Sequence, residues 1–373
     1  MEDIVMKRVV VCLLVLSLLA IITTSAMADI ASEGKKVEDL VIGISMATMQ
    51  EERWEKDQEI IVEELKSLGV KEKNILVQSA EGDEMKQLSQ CENLITQGID
   101  ALIVIPQNAD VLSPMVRSAH ETGTYVLTVW RNINNADVDL NMCPDTFRIG
   151  VIQAEALLEE CDEGNWVLIG GAPTDPSSTR IREGKLSVLQ PYIDSGDIKI
   201  VLAQYADYWK PSEALRYTEQ ALTANNNDIQ VVSTTNDGCA GAAIEALEEQ
   251  GLAGKVPVSG MDCNLSACRR MIEGTQTMSI YMSQLPADQG IARAAVAMSL
   301  GNDVEEALGR EIVINKSGEF ELPTVILGDE ESLCSINESN MERIVMEGWQ
   351  KVEEIYANVP REEWPEWTEK YVD

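Results

Sequence analysis

The sequence predicts an α/β fold built as two doubly wound parallel-sheet lobes. Short apolar runs rich in β-branched residues alternate with segments of three-to-four-residue apolar periodicity almost from end to end. The runs are apolar on both faces, as strands covered by helices on two sides must be. About ten such runs fall into two series of about five, too many for one modest sheet.

In order, the strands of the first series are 40–45, 74–80, 101–106, 125–130 and 139–143. Those of the second are 166–171, 198–204, 229–235, 256–260 and 277–282. The first intervening helix is marked by Ile60, Ile61, Leu65 and Leu68. The switch between series is expected at Asp145 to Ile149, after a short strand with no long helix before it. Strand-like runs at 311–316 and 323–327 and a helix from Met341 to Tyr356 follow, pieces that suit a chain crossing between lobes more than once. Residues 359–373 read as an acidic surface extension whose tryptophans pack on a lobe.

The N-terminus has the form of a secretion signal over residues 1–28. Lys7 and Arg8 precede the apolar run Val9 to Ile22, and Ala26-Met27-Ala28 is a small-x-small cleavage site. The run is too short for a comfortable membrane span, no comparable run follows, and Cys12 has valines before it instead of the small residue a lipid anchor needs. A periplasmic protein without a lipid anchor is expected. Removal of 28 of the 373 residues leaves 345, enough for two lobes with proper cores, and the net charge stays at −34. That charge excludes nucleic acid as a partner, since phosphate binding relies on Lys and Arg. Seven cysteines remain, odd in number and scattered, which indicates neither a zinc site nor a dense disulfide framework; free buried thiols are expected, with Cys239 and Cys263 as possible neighbours.

Open parallel sheets bind ligands beyond the carboxyl ends of their strands. Those ends carry Arg53 and Trp54, Gln107 and Asn108, Trp130 and Arg131, Asp145, Thr174 and Asp175, Tyr205 to Trp209, Asn236 and Asp237, Met261 and Asp262, and Met282. Indole faces that cover the C–H face of a ring, with charged and amide groups for its hydroxyls, are the chemistry of carbohydrate binding. Each residue alone also fits a plainer role. Trp54 shares a helical face with Ile61, Leu65 and Leu68, Arg53 suits a solvated first turn, Trp209 an exposed loop, and Asn236-Asp237 a helix cap. The one histidine, His120, is expected to be solvated on a helix, and no catalytic elbow, P-loop or complete calcium loop occurs. No catalytic residue, cofactor or metal is expected.

Longer stretches carry a resemblance: "EERWEKD", "LVQSAEGDEMKQLSQCENLITQGIDALIVIPQNADVLS", "RNINNADVD", "IGGAPTD", "VLQPYIDSGDIKIV", "EALRYTEQALTANNNDIQVV", "NDGCAGAAIEAL" and "EGTQTMSIY". The sequence resembles the periplasmic D-xylose-binding proteins, within the sugar-binding group whose fold is that of ribose-binding proteins. The resemblance implies the periplasmic binding protein type I architecture, with lobes at 38–146 plus 284–324 and 149–281 plus 326–358 joined by a three-segment hinge. It implies a monomer that closes on a monosaccharide, xylose or a related pentose or deoxysugar, and delivers it to the membrane permease of an ABC importer. A sugar sensor serving a chemoreceptor or sensor kinase is the alternative.

Carried over by position, the family's pocket falls here on Arg53, Trp54, Arg131, Asp175, Trp209, Asn236 and Asp262, with Trp54 and Trp209 on opposite faces of the sugar ring. Three neighbouring pocket positions depart from the family pattern: Trp130 replaces an aspartate, Ser177 an asparagine and Met282 a lysine. Two lost charge-assisted hydrogen bonds amount to about 3 to 6 kcal/mol if the pose is kept, so the pattern points to a retuned pocket.

Overall fold

The structure, a computed structural model, describes residues 34–50, 52–329 and 332–372. The segment expected to be a secretion signal, including Cys12, lies outside the described residues. The first sheet holds β1 (Ile42–Met46), β2 (Ile75–Ser79), β3 (Ala101–Val104), β4 (Tyr125–Val129), β5 (Leu140–Pro144), β11 (Val313–Ser317) and β12 (Phe320–Leu327), in the order β11-β12-β5-β4-β3-β1-β2. The second holds β6 (Gly164–Gly170), β7 (Ile198–Tyr205), β8 (Val231–Thr234), β9 (Val258–Met261), β10 (Met278–Met282) and β13 (Leu333–Ile336), in the order β13-β10-β9-β8-β6-β7.

Pairing among β1 to β5 and among β6 to β10 is parallel throughout, which confirms the expected fold class. The edges differ from expectation: β11 runs antiparallel to β12, and β13 antiparallel to β10. β13 did not register in the sequence because Cys334 and Ser335 interrupt its short apolar run.

Helices α1 (Glu52–Ser67), α2 (Glu84–Thr96) and α3 (Ser113–Glu121) follow strands of the first sheet, and α4 (Thr146–Glu160), α5 (Pro176–Ser195), α6 (Pro211–Ala224), α7 (Asp237–Glu249) and α8 (Leu265–Ile272) belong to the second lobe. After β10 the chain returns to the first lobe as α9 (Gln284–Leu300), whose Ile291, Ala292, Ala294 and Ala295 are fully buried, and α10 (Val304–Leu308) leads on to β11. The chain thus passes between lobes three times: after Pro144, after Met282, and between Leu327 and Leu333.

Two glycines set how closely α4 and α5 approach. A Cβ on Gly150 would collide with the Ile181 carbonyl, and one on Gly184 with the Phe147 carbonyl. The contact therefore needs hydrogen at both positions, and it fixes the first turns of both helices beside the cleft.

The expected helix from Met341 to Tyr356 is instead two short ones, α11 (Glu342–Met346) and α12 (Val352–Ile355). Gly348, at φ 72°, ends the first in the left-handed conformation. Trp349 then turns inward, where its indole N–H lies 3.1 Å from the carbonyls of both Asp262 and Cys263. Beyond it, Trp364 and Trp367 pack on Tyr356, with ring centroids 5.4 and 6.1 Å away. None of the seven cysteines among the described residues is in a disulfide. His120 is not simply solvated: its Nε2 sits 2.9 Å from Asp139 Oδ2.

Candidate functional site

Arg53, Trp54, Trp130, Arg131, Asp175, Ser177, Trp209, Asn236, Asp262 and Met282 all line one cavity between the lobes, together with Pro144, Thr146, Ile149, Ile181 and Met261. The space between these side chains is about 440 Å³, counted out to its mouth. Each strand end delivers its residue for a local reason. Arg53 and Trp54 occupy the first turn of α1, reached from β1 by a short loop. Trp54 resolves its two readings as both, being buried with Ile61 and Leu65 in the core and also facing the cavity.

Asp175 caps α5: its Oδ1 accepts from the Ser177 backbone N–H at 3.0 Å and from Ser177 Oγ at 2.6 Å. Asn236 caps α7 by accepting from the Cys239 N–H at 3.1 Å. Both capping side chains also line the cavity, so the plain and functional readings of these two coincide. Trp209 is buried rather than an exposed loop aromatic, and its indole lies where a side chain on Gly171 would have to go.

Two ion pairs span the lobes. Arg53 Nη1 donates to Asp262 Oδ1 at 2.7 Å, and Arg131 Nε lies 3.0 Å from Asp175 Oδ2. Arg131 Nη1 also donates to the Pro106 carbonyl at 3.2 Å. Lys56 adds a third crossing by donating to the Trp349 carbonyl at 2.6 Å. The Arg53 guanidinium carbon sits 4.4 Å from the Trp54 ring centroid and 4.5 Å from that of Trp130, and Arg131 lies 5.0 Å from Trp54. Burial works against charge on Arg53, but Asp57 and Asp262 more than compensate and its pKa is raised. The cation is permanent.

Backbone strain gathers here. Trp130 (φ 66°), Tyr208 (φ 55°), Trp209 (φ 59°), Asp262 (φ 100°) and Cys263 (φ 50°) are all in the left-handed half of conformational space. The Asp262 turn is held by its N–H to the Ile280 carbonyl at 2.8 Å and by Trp349. Behind it, Asp237 accepts from the Asn264 N–H, Gln276 Nε2 and Ser279 Oγ, and burial together with Asp262 pushes its carboxyl up to about 7.

Two residues behind the cavity were not singled out from sequence. Asp57, fully buried, accepts from Arg53 Nε at 3.2 Å; its position one helical turn after Arg53 is a signal the sequence offers. Asp288, also fully buried on α9, accepts from Trp130 Nε1 at 2.9 Å, and nothing local in sequence links residues so far apart. Other strand-end residues lie elsewhere. Asn108 bonds Glu84, Thr174 faces a separate surface hollow, and Gln107 sits with Tyr208 and Asn264 in the outer cleft. The cavity thus offers indole faces and apolar walls beside two guanidinium–carboxylate pairs and an amide, surfaces of the kind that suit a small polyhydroxylated ring.

Residues 42–303 match the family model described as a periplasmic binding protein domain. The chain is 39% identical over 340 residues to the D-xylose-binding periplasmic protein of Escherichia coli (strain K12), covering 91% of this chain and 98% of that one. It is 28% identical over 329 residues to the multiple sugar-binding periplasmic receptor ChvE of Rhizobium radiobacter, covering 82% of this chain and 89% of that one. In fold it is similar to a carbohydrate transporter solute binding protein of Chloroflexus aurantiacus solved with D-glucose, at a TM-score of 0.75 and 22% identity over 84% of this chain and 98% of that one. The Caulobacter myo-inositol binding protein gives a TM-score of 0.70 at 23% identity, over 83% of this chain and 97% of that one.

Proposed function

The chain belongs to the periplasmic binding protein family, among the D-xylose-binding proteins, and from that premise we propose that it is a monosaccharide receptor of an ABC importer. One observation carries this reading: side chains at or beyond the ends of β1, β4 and β5 in the first lobe and of β6 to β10 in the second converge on one interlobe cavity whose cation–carboxylate pairs reach across the cleft.

Arg53, Arg131, Asp175, Asn236 and Asp262 bond the hydroxyls, and Trp209 covers one face of the ring. Trp54 already carries two guanidinium groups, so on this reading it acts on the sugar together with Arg53 as one surface. The two lobes close about the three crossings, after Pro144, after Met282 and between Leu327 and Leu333 instead of at 324–326, and a sugar held by both shifts the population to the closed form. The permease of the importer then recognises that form. No step alters a covalent bond. The protein acts as a periplasmic monomer.

Xylose is the first sugar to test, with a related pentose or deoxysugar next, because Trp130 and Met282 make the cavity less polar than the family pattern. Calorimetric titration of ligand-stripped protein with xylose, ribose, arabinose, glucose, galactose, fucose and rhamnose decides. Micromolar binding of xylose, or of another sugar in this set, supports the reading, and silence toward all of them defeats it.

A further inference from the structure

Trp130 is the largest departure from the family pattern, and its indole N–H does not face the cavity. It donates backward to Asp288 Oδ1 at 2.9 Å. Asp288 stands on α9, the helix that begins two residues after the Met282 strand end. Its carboxyl interacts with that of Asp57, whose Oδ2 in turn accepts from Arg53 Nε at 3.2 Å. Asp57 Oδ1 and Asp288 Oδ2 are both buried without a hydrogen-bond partner, and a single proton shared between the two carboxyls would satisfy both. Burial and the neighbouring Asp57 push the Asp288 carboxyl well up, while Arg53 favours charge on Asp57; the proton belongs to Asp288. A continuous chain results, from the Trp130 N–H through Asp288 and Asp57 to Arg53 and across the cleft to Asp262.

We propose that Asp288 is a positioning residue: it fixes the Trp130 indole with its N–H averted, so that Trp130 itself offers the ligand an aromatic surface and no donor, and a sugar bearing C–H or methyl against it is selected over its hydroxylated counterpart. The inference rests on the sugar-binding reading. Geometry supports it on three counts. The indole cannot rotate without breaking its bond to Asp288. The strained φ of Trp130 holds its backbone in a conformation that aims the ring inward. Arg53 lies 4.5 Å from the same ring centroid, so one network orients both the aromatic surface and the principal cation.

The charged groups facing Asp288 are few. Arg53 and Asp57 come from α1, and Asp262 acts through Arg53. The buried polar residues of β4 and β5 beneath α9 are Thr128 and Asn141, which do not titrate, and α10 brings only the exposed Glu305 and Glu306.

The test is calorimetry on the wild type, Asp288→Asn and Asp288→Leu from pH 5.5 to 8.5, with D-xylose and with the pair D-fucose and D-galactose, which differ by one hydroxyl. The wild type is expected to bind the deoxy member of the pair at least tenfold more tightly and to weaken as pH rises and Asp288 loses its proton. Asp288→Leu should lose tenfold or more for the preferred sugar and narrow the fucose–galactose ratio. Asp288→Asn, which accepts from the indole and donates to Asp57, should recover most of that loss and abolish the pH dependence. Wild-type affinity and rank order in a folded Asp288→Leu would overturn the proposal. If that variant does not fold, a pH profile of Asp288→Asn identical to the wild type overturns it equally. A wild type that binds none of these three sugars fails this inference, and the sugar-binding reading falls with it only if the remaining sugars of the wider panel are also silent. A wild type that binds, with an indifferent Asp288, fails this inference alone.

Discussion

Arg53 Nη1 in the first lobe and Asp262 Oδ1 in the second are 2.7 Å apart, with side chains only 5% and 2% exposed. So buried an ion pair links the lobes, and on the proposed reading it also meets polar groups of the sugar. Removing Asp262 leaves the buried Arg53 guanidinium with Asp57 as its one carboxylate partner and Nη1 unpaired, at a cost of up to about 3 to 5 kcal/mol. Asp262→Ala should therefore weaken sugar binding by about a hundredfold or more and populate a more open form, visible as a larger radius of gyration in X-ray scattering. An unchanged scattering profile would deny the pair its linking role.

Trp209→Ala should abolish or severely weaken ligand binding, by about 3 kcal/mol, while leaving the melting transition cooperative. Gly171→Ala should produce a milder version of the same loss, because the added Cβ displaces the indole ring. Near-normal affinity in Trp209→Ala would remove the stacking role from this residue.

Restoring the family pattern with Trp130→Asp and Met282→Lys together should strengthen xylose binding, by about tenfold or more. The lysine must accompany the aspartate, since a new carboxylate would otherwise face the Asp57–Asp288 pair. No gain in the double variant would mean that the cavity has been rebuilt around Trp130 beyond simple reversal.

Lys185 is buried on α5, and burial, with Arg182 nearby, lowers its pKa to about 7. Its folded pKa lies below the unfolded value of 10.5, so its contribution to stability is greatest above that value and is lost as pH falls to about 7. Lys185→Met should stabilise the protein near pH 7 by about 1 to 4 kcal/mol, with the gain shrinking toward pH 10. The Thr234 carbonyl that Lys185 serves keeps a second donor in Ser259 Oγ at 2.8 Å, so the substitution orphans no acceptor. Melting temperatures across that range check both sign and slope.

Gly184→Ala should lower stability by at least about 3 kcal/mol, because the methyl collides with the Phe147 carbonyl and neither backbone can withdraw. A change in denaturation midpoint within error would show that α4 and α5 can separate without penalty.

The fold was legible because parallel strands buried on both faces announce themselves as apolar runs, and the rule that ligands sit beyond their carboxyl ends then located the pocket residues. Trp209 and Asn236 looked ambiguous only because caps and turns at those ends serve structure and cleft at once. The averted indole of Trp130 was not legible. Its partner, Asp288, comes from a helix of the same lobe that follows a second passage through the other lobe, and no periodicity connects the two. The break at Gly348 was missed for a related reason: a glycine near a helix end reads as tolerable until tertiary contacts show that Trp349 must turn inward.

That inward turn bears on the order in which the protein can mature. A chain emerging from its N-terminus has every cavity residue from Arg53 to Met282 in hand before Trp349 exists to brace the strained turn at Asp262. The pocket is thus completed late, by a residue that never touches the cavity. Until that residue arrives, a growing chain can have two nearly whole lobes and no finished site between them.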